Sequence, residues 1–294
     1  MENSKPQNLK SFDSMQRFKF DDYDIQGNII HCKNSFSTMV STRNYPKCIK
    51  ALLGKMQCAA CLIADTLHID GQISLQIRSS GRLKYALVKV NSNFETVGIA
   101  DIEGLIGDYE VFTDFLNEDA VLLLSITPLH DKACQCILPL DMGSLEASIE
   151  EYYKNSANVK CSLKLFSSPD NNYTVGMMLS TLPTKLKKDV QLLGFENIKT
   201  LADTITEEEL GSLEFDNILY RLFNEESVML FNPVKIKYKC TCSKVHFKNA
   251  LSCVSKDELA KILHEDGKIT AVCQYCGKSY QFNEEEILDL MRNM

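Results

Sequence analysis

The sequence predicts an α+β fold in three parts: a mixed core domain, a helical linker and a small C-terminal zinc-binding domain. Three observations carry that expectation. Strand and helix patterns are interspersed over residues 17–183 without strict alternation, which favours α+β over a doubly wound sheet. Strand signals then stop, and residues 184–234 read as short helical pieces. Finally, residues 235–294 hold two close thiol pairs, Cys240-Thr-Cys242 and Cys273-Gln-Tyr-Cys276.

Taken in order, residues 1–16 (MENSKPQNLKSFDSMQ) are expected as a polar leader, with no apolar core that could act as a signal peptide. YPKCIKALLGKMQCAACLIADTL places Ile49, Leu52, Met56 and Ile63 on one helical face. ISLQI alternates Ile73, Leu75 and Ile77, then turns through SSGR into LKYALVKV, the pattern of a hairpin. AVLLLSIT (120–127) and CQCILPL (134–140) form a further strand pair, and GSLEASIEEYYKNS a shorter amphipathic helix. After GMMLSTLP (176–183) the linker begins, in pieces broken by Gly194 and Gly211. Ile198, Leu201 and Ile205 form a stripe, Thr206 and Glu209 a capping box, and FDNILYRLF carries Ile218, Leu219, Leu222 and Phe223. Each piece is too short to be stable alone in water, so each must pack on something. Pro233 ends the segment.

Hydrophobic residues at 45% and charged residues at 24% suit a soluble globular protein, and no run reaches a membrane-spanning length. A cytoplasmic location is expected. The net charge of −7 argues against nucleic-acid binding by the chain as a whole. Charge changes sign at one place: residues 185–227 carry ten acidic and five basic side chains, whereas 235–248 carry five lysines (235, 237, 239, 244, 248) and no acid.

Twelve cysteines are too sparse for a disulfide scaffold, so their distribution matters more than their number. Cys240, Cys242, Cys273 and Cys276 have the spacing of a closed tetrahedral zinc site, two thiolates from each side of a helical spacer. In that spacer Ser255 and Glu258 form a capping box before LAKIL, EDGK ends the helix, and Asn283 caps a last helix. One Zn2+ per chain is expected; His246 and Cys253 are weaker ligand candidates. Four thiolates around a divalent ion leave a formal charge of −2, which the lysines of 235–248 and Lys278 can offset. The same strip could draw the acidic linker onto the zinc domain. Cys58-Ala-Ala-Cys61 lies in an apolar helix and Cys134-Gln-Cys136 in a strand, so both are expected as packing residues. Cys32, Cys48 and Cys161 are isolated.

A zinc-ribbon nucleic-acid binder would use the basic strip, but ten basic and eight acidic side chains leave 235–294 near neutral. A thiol–disulfide oxidoreductase would need C-x-x-C at a helix N-terminus, and CQYCGKSY continues into glycine instead. No triad, phosphate loop or carboxylate pair stands out, so no enzyme is expected.

The run LYRLFNEESVMLFNPVKIKYKCTCSKVHFKNAL, followed by ELAKILHEDGKITAVCQYCGKSYQF, resembles the C-terminal half of the 33 kDa chaperonin (heat shock protein 33) family. ILPL before GSLEASIEEYY, and GMMLSTLP, extend the resemblance into the core domain. The resemblance implies a redox-regulated, ATP-independent holdase that is folded and inactive when reduced and zinc-bound. It implies that oxidation joins Cys240 to Cys242 and Cys273 to Cys276, expels zinc and unfolds the zinc domain and linker. The partners it implies are unfolding client proteins and, when oxidised, a second copy of the chain. Cys134, Cys136 and Cys253 are not thiols that the family's mechanism uses.

Overall fold

The computed structural model describes residues 13–140, 143–156, 158–292 and 294, and the chain divides into two compact units, Met1–Tyr238 and Lys239–Met294. In chain order, the first unit comprises β1 (Ser14–Phe20), β2 (Ile25–Cys32), α1 (Asn34–Val40), α2 (Lys47–Leu67), β3 (Gly71–Arg78), β4 (Leu83–Asn91) and β5 (Glu95–Ile102). It continues with β6 (Val121–Pro128), β7 (Cys134–Pro139), α3 (Leu145–Ser156), β8 (Cys161–Ser168), β9 (Tyr173–Thr181) and the linker helices α4 (Lys188–Ala202), α5 (Glu207–Ser212) and α6 (Phe215–Phe223). Three short strands close it: β10 (Val228–Leu230), β11 (Val234–Lys235) and β12 (Lys237–Tyr238). The fold is α+β. Of the leader expected over 1–16, residues 1–12 lie outside the described residues, and Ser14–Gln16 already belong to β1.

Two six-stranded sheets form the frame. One runs β10-β1-β2-β9-β8, with β11 also on β1; the other runs β12-β5-β4-β3-β6-β7. The hairpin read from the sequence is β3–β4, and its register sets Ile73 opposite Val90, Leu75 opposite Val88 and Ile77 opposite Ala86. Those residues are all buried, as an alternating strand with one core face requires. Helix α2 packs on β8 and β9 of the first sheet and on β3 and β4 of the second. Its burial is therefore wider than one face: every residue from Met56 to Ile63 is buried. Within that run Gln57 Nε2 donates to Ser35 Oγ at 3.1 Å and to Thr96 Oγ1 at 2.9 Å, while its buried Oε1 has no hydrogen-bond partner among the described residues.

The first sheet is covered on both sides. Ile30 and Met178 face the α2 cluster, while Phe18, Phe20, Ile25, Ile29, Val175, Met177 and Leu179 face the linker helices. From the linker come Phe195, Ile198, Ala202, Ile205, Leu210, Ile218, Leu219, Leu222 and Phe223. The ring of Phe223 meets that of Phe20 edge-on at 4.9 Å. Thr206 and Glu209 close the expected capping box.

Two linker expectations need correction. Gly194 does not break a helix but lies in the middle of α4, and Gly211 lies within the last turn of α5, one residue before its end. Each lets a ring approach the backbone: Tyr23 at Gly194, and Tyr173 at Gly211, where a Cβ would come within 2.7 Å of the ring. Nor do strands end at residue 183. The chain returns to the first sheet as β10 and β11, pairing Phe18 with Leu230 and Met15 with Val234. Strands of two or three residues are too short to display a period.

The second unit contains α7 (Lys244–Leu251), α8 (Lys256–Asp266), β13 (Lys268–Val272), β14 (Ser279–Asn283) and α9 (Glu284–Arg292). Its core is small: Leu259, Leu263, Ile269, Tyr280, Phe282, Ile287 and Leu290. The expected caps are present. Ser255 accepts from the Glu258 amide, Gly267 ends α8 in the left-handed region, and Asn283 and Glu286 cap each other's amides at 2.9 and 3.1 Å. Among the described residues, no helix is long and apolar enough to cross a membrane.

Candidate metal centre

The second unit brings its two thiol pairs together from different local structures. Cys240 and Cys242 lie in the extended entry to α7, where Ser243 caps the helix by accepting from the His246 amide. Cys273 and Cys276 occupy the turn between β13 and β14. There the Cys273 amide donates to Lys278 O at 2.9 Å and the Gly277 amide to Cys273 O at 2.8 Å. Gly277 has φ +70, so this tight turn needs a residue tolerant of the left-handed region.

The four sulfurs lie within 4.8 Å of one another. Cys240 Sγ is 3.6 Å from Cys273 Sγ, and Cys242 Sγ is 3.4 Å from Cys276 Sγ. Four sulfurs bonded to zinc at about 2.3 Å stand ~3.8 Å apart at the corners of a tetrahedron, so this donor set fits a zinc ion. Cys273 is buried and the other three are half-buried. A closed structural site of this kind leaves no position for substrate.

Electrostatics around the sulfurs are uneven. Burial and the neighbouring thiols push Cys240 up, and burial also raises Cys276. Cys242 goes the other way, to about 7: burial opposes ionisation, but hydrogen bonds from Tyr280 and the other thiols outweigh it. The Tyr280 hydroxyl lies 2.9 Å from the carbonyl oxygen of Cys242 and 3.2 Å from its sulfur. Tyr280 was not singled out in the sequence. Its alternation with Phe282 on β14, four residues past Cys276, is the signal that could have found it.

Of the lysine strip, Lys244 pairs with Glu286 at 2.6 Å and Lys248 with Asp289 at 3.2 Å, both on α9. These are exposed pairs and contribute little each. Lys278 lies over the Tyr280 ring at 5.2 Å. His246 and Cys253 are outside the thiol cluster; Cys253 is exposed.

The remaining cysteines divide. Cys58 and Cys61 are fully buried in α2, as expected. Cys134 and Cys136 do lie in a strand; Cys134 is exposed, so packing is not its role, whereas Cys136 is half-buried, because β7 is the edge of its sheet.

Fold and site together define an α+β core carrying a small module whose four clustered cysteines could hold a metal ion. The family model described as "Hsp33 protein" matches residues 13–283. The 33 kDa chaperonin of Shewanella denitrificans is 32% identical over 280 residues, covering 95% of each chain. That of Shewanella loihica is 32% identical over 283 residues, 96% of this chain and 97% of the relative. Among solved structures, the 33 kDa chaperonin (heat shock protein 33 homolog) of Thermotoga maritima superposes with a TM-score of 0.81 over 96% of this chain and 98% of that one, at 20% identity. The chain belongs to the Hsp33 family.

Proposed function

We propose that the protein is a redox-regulated, ATP-independent chaperone, a holdase that prevents unfolding proteins from aggregating. Membership of a family whose relatives are named 33 kDa chaperonin supports the chaperone part. The observation that carries the regulation is the convergence of Cys240, Cys242, Cys273 and Cys276 within 4.8 Å in a unit with only seven buried apolar side chains among its described residues.

In the reduced protein these four cysteines are the ligands of one zinc ion, which holds the sulfurs as thiolates and joins the entry of α7 to the β13–β14 turn. Oxidation by hypochlorous acid, or by peroxide with mild unfolding, joins Cys240 to Cys242 and Cys273 to Cys276. The disulfide sulfurs no longer hold the ion. Structural zinc contributes on the order of 10–16 kcal/mol to folding, more than a core of this size can replace, so residues 235–294 unfold. The linker, 184–234, follows. Its departure uncovers the Phe18, Phe20, Ile29 and Met177 face of the first sheet and the apolar sides of α4 and α6, and client proteins bind there. Cys240–Cys242 closes a small strained ring and is the easier bridge to reduce, which lets cytoplasmic thiol reductants reset the protein.

The test is light scattering from a heat-aggregating client, with the protein reduced and zinc-loaded or oxidised, and zinc release followed alongside. Suppression of aggregation by the oxidised form only, with one zinc released per chain, is expected. Equal suppression by both forms, or zinc retained after all four thiols have become unreactive to alkylation, overturns the regulation.

A further inference from the structure

The chain carries a second Cys-x-Cys, at 134–136, and the zinc centre does not use it. The pair sits on β7, whose sequence Cys-Gln-Cys-Ile-Leu-Pro carries no charge. Register places Cys134 opposite Ile126, Cys136 opposite Leu124 and Leu138 opposite Leu122, so the two thiols share the core-facing side of the sheet. Beneath them lies α3, where the Tyr152 hydroxyl meets Cys136. Among the described residues no strand pairs with the outer side of β7, and at the opposite edge of the same sheet the two-residue β12 pairs only with Glu95 and Thr96 of β5. Ile137, on the other face, is 66% exposed. Open edges are ordinarily guarded by charge, by a bulge or by a covering segment, and only Pro139 at the end of β7 does any of this.

We propose that β7 is a docking edge for a second copy of this chain, and that Cys134 and Cys136 lock the pair covalently across it. Geometry selects the partner. Within one strand the two cysteines are two residues apart, about 6.7 Å, with parallel side chains, far beyond the ~3.5–4.5 Å between Cβ atoms that a disulfide needs. Across an antiparallel pair, facing Cα atoms are about 4.5–5.5 Å apart, inside the disulfide range. Two β7 strands related by a twofold axis at Gln135 put Cys134 of each chain opposite Cys136 of the other. The segment Cys-Gln-Cys is thus complementary to itself.

A peroxide supplies the oxidising equivalents. The Cys134 thiolate attacks one peroxide oxygen, the O–O bond breaks, and Cys134 becomes a sulfenic acid as the other oxygen leaves as water. The thiolate of Cys136 on the second copy then attacks that sulfur; the S–O bond breaks, the S–S bond forms, and a second water leaves. Each bridge passes two electrons to one peroxide. This inference does not rest on the chaperone reading, since the thiols lie outside the metal-binding unit.

The experiment treats the full-length, zinc-loaded protein with hydrogen peroxide and follows covalent dimer on non-reducing gels, with peptide mass mapping of the bridge. A reductant-sensitive dimer joined Cys134 to Cys136 is expected. Cys134→Ser and Cys136→Ser should each lower its yield at least tenfold, because either change removes both facing pairs. Mixing the two variants, one carrying a size tag, should restore a heterodimer through the one remaining pair. Far-UV circular dichroism and zinc content report whether each variant folds, and the bridge map of the unaltered protein stands without them. The inference is overturned by a dimer that survives in Cys134→Ser alone, by a bridge mapped within one chain, or by no covalent dimer at all.

Discussion

The two units of this protein are held together by different forces. In the first, α2 is buried around its whole circumference over Met56–Ile63 between two six-stranded sheets, and the linker helices add a second apolar layer. In the second, among the described residues, one two-stranded hairpin and three short helices share a cluster of seven buried apolar side chains, and α7 buries none. Apolar burial is extensive in the first; in the second, on the proposed reading, four sulfurs brought to one point make up for a small core. A force distributed over dozens of side chains has no single chemical switch. A force concentrated on four thiolates can be removed by one oxidant.

The sharpest way to break this contrast is to remove the metal. A strong chelator under reducing conditions should abolish hydrogen-exchange protection in β13, β14 and α8, a loss on the order of 10–16 kcal/mol, while β2, β3 and β9 stay protected. If residues 239–294 kept their protection without the ion, the contrast between the units would be wrong.

The next test removes apolar burial where the linker meets the sheet. Phe223 is buried against Phe18 and Phe20. Phe223→Ala should weaken that packing by about 3–5 kcal/mol. The reduced, zinc-bound variant should then suppress client aggregation, with its zinc content unchanged. An inactive reduced variant with a destabilised linker would show that client binding needs more than exposure of this face. Gly194→Ala perturbs the same layer from the other side, by pressing a Cβ into the Tyr23 ring. Overpacking of this kind costs about 1–3 kcal/mol and should give a weaker version of the same effect in the scattering assay.

The contrast also explains what was legible in the sequence. The four-thiol cluster was readable because its spacing is local: two pairs, each within four residues, are visible without knowing how the hairpin returns. The caps at Thr206, Ser255 and Asn283 were readable for the same reason. Burial around all of α2 was not, because a one-face stripe and a helix sandwiched between sheets share Ile49, Leu52, Met56 and Ile63; only the opposite sheet distinguishes them. Gly194 and Gly211 suggested breaks, but their use is set by Tyr23 and Tyr173, which are remote in sequence. Cys134 and Cys136 alternated like packing residues, and whether a strand is central or at an edge depends on pairing that no window of sequence contains. Tyr280 escaped notice because a tyrosine on a strand has no ligand spacing to announce it.

The smallest effect separates the two units most cleanly. Thr206 caps α5 in the linker and Asn283 caps α9 in the metal unit. Replacing either by alanine costs about 1 kcal/mol, since one amide at each helix start loses its acceptor. Equal losses should nevertheless have unequal consequences. If folding and ion binding are one equilibrium in the second unit, as proposed, 1 kcal/mol lost by Asn283→Ala should appear as roughly fivefold weaker zinc affinity in a chelator competition. In the linker the same loss falls on helices that hold no ligand, so Thr206→Ala should leave zinc affinity within experimental error and instead raise local hydrogen exchange in α5. If both substitutions weakened zinc binding alike, the linker and the metal unit would be one cooperative structure already in the reduced state, and metal loss would melt them together rather than in succession.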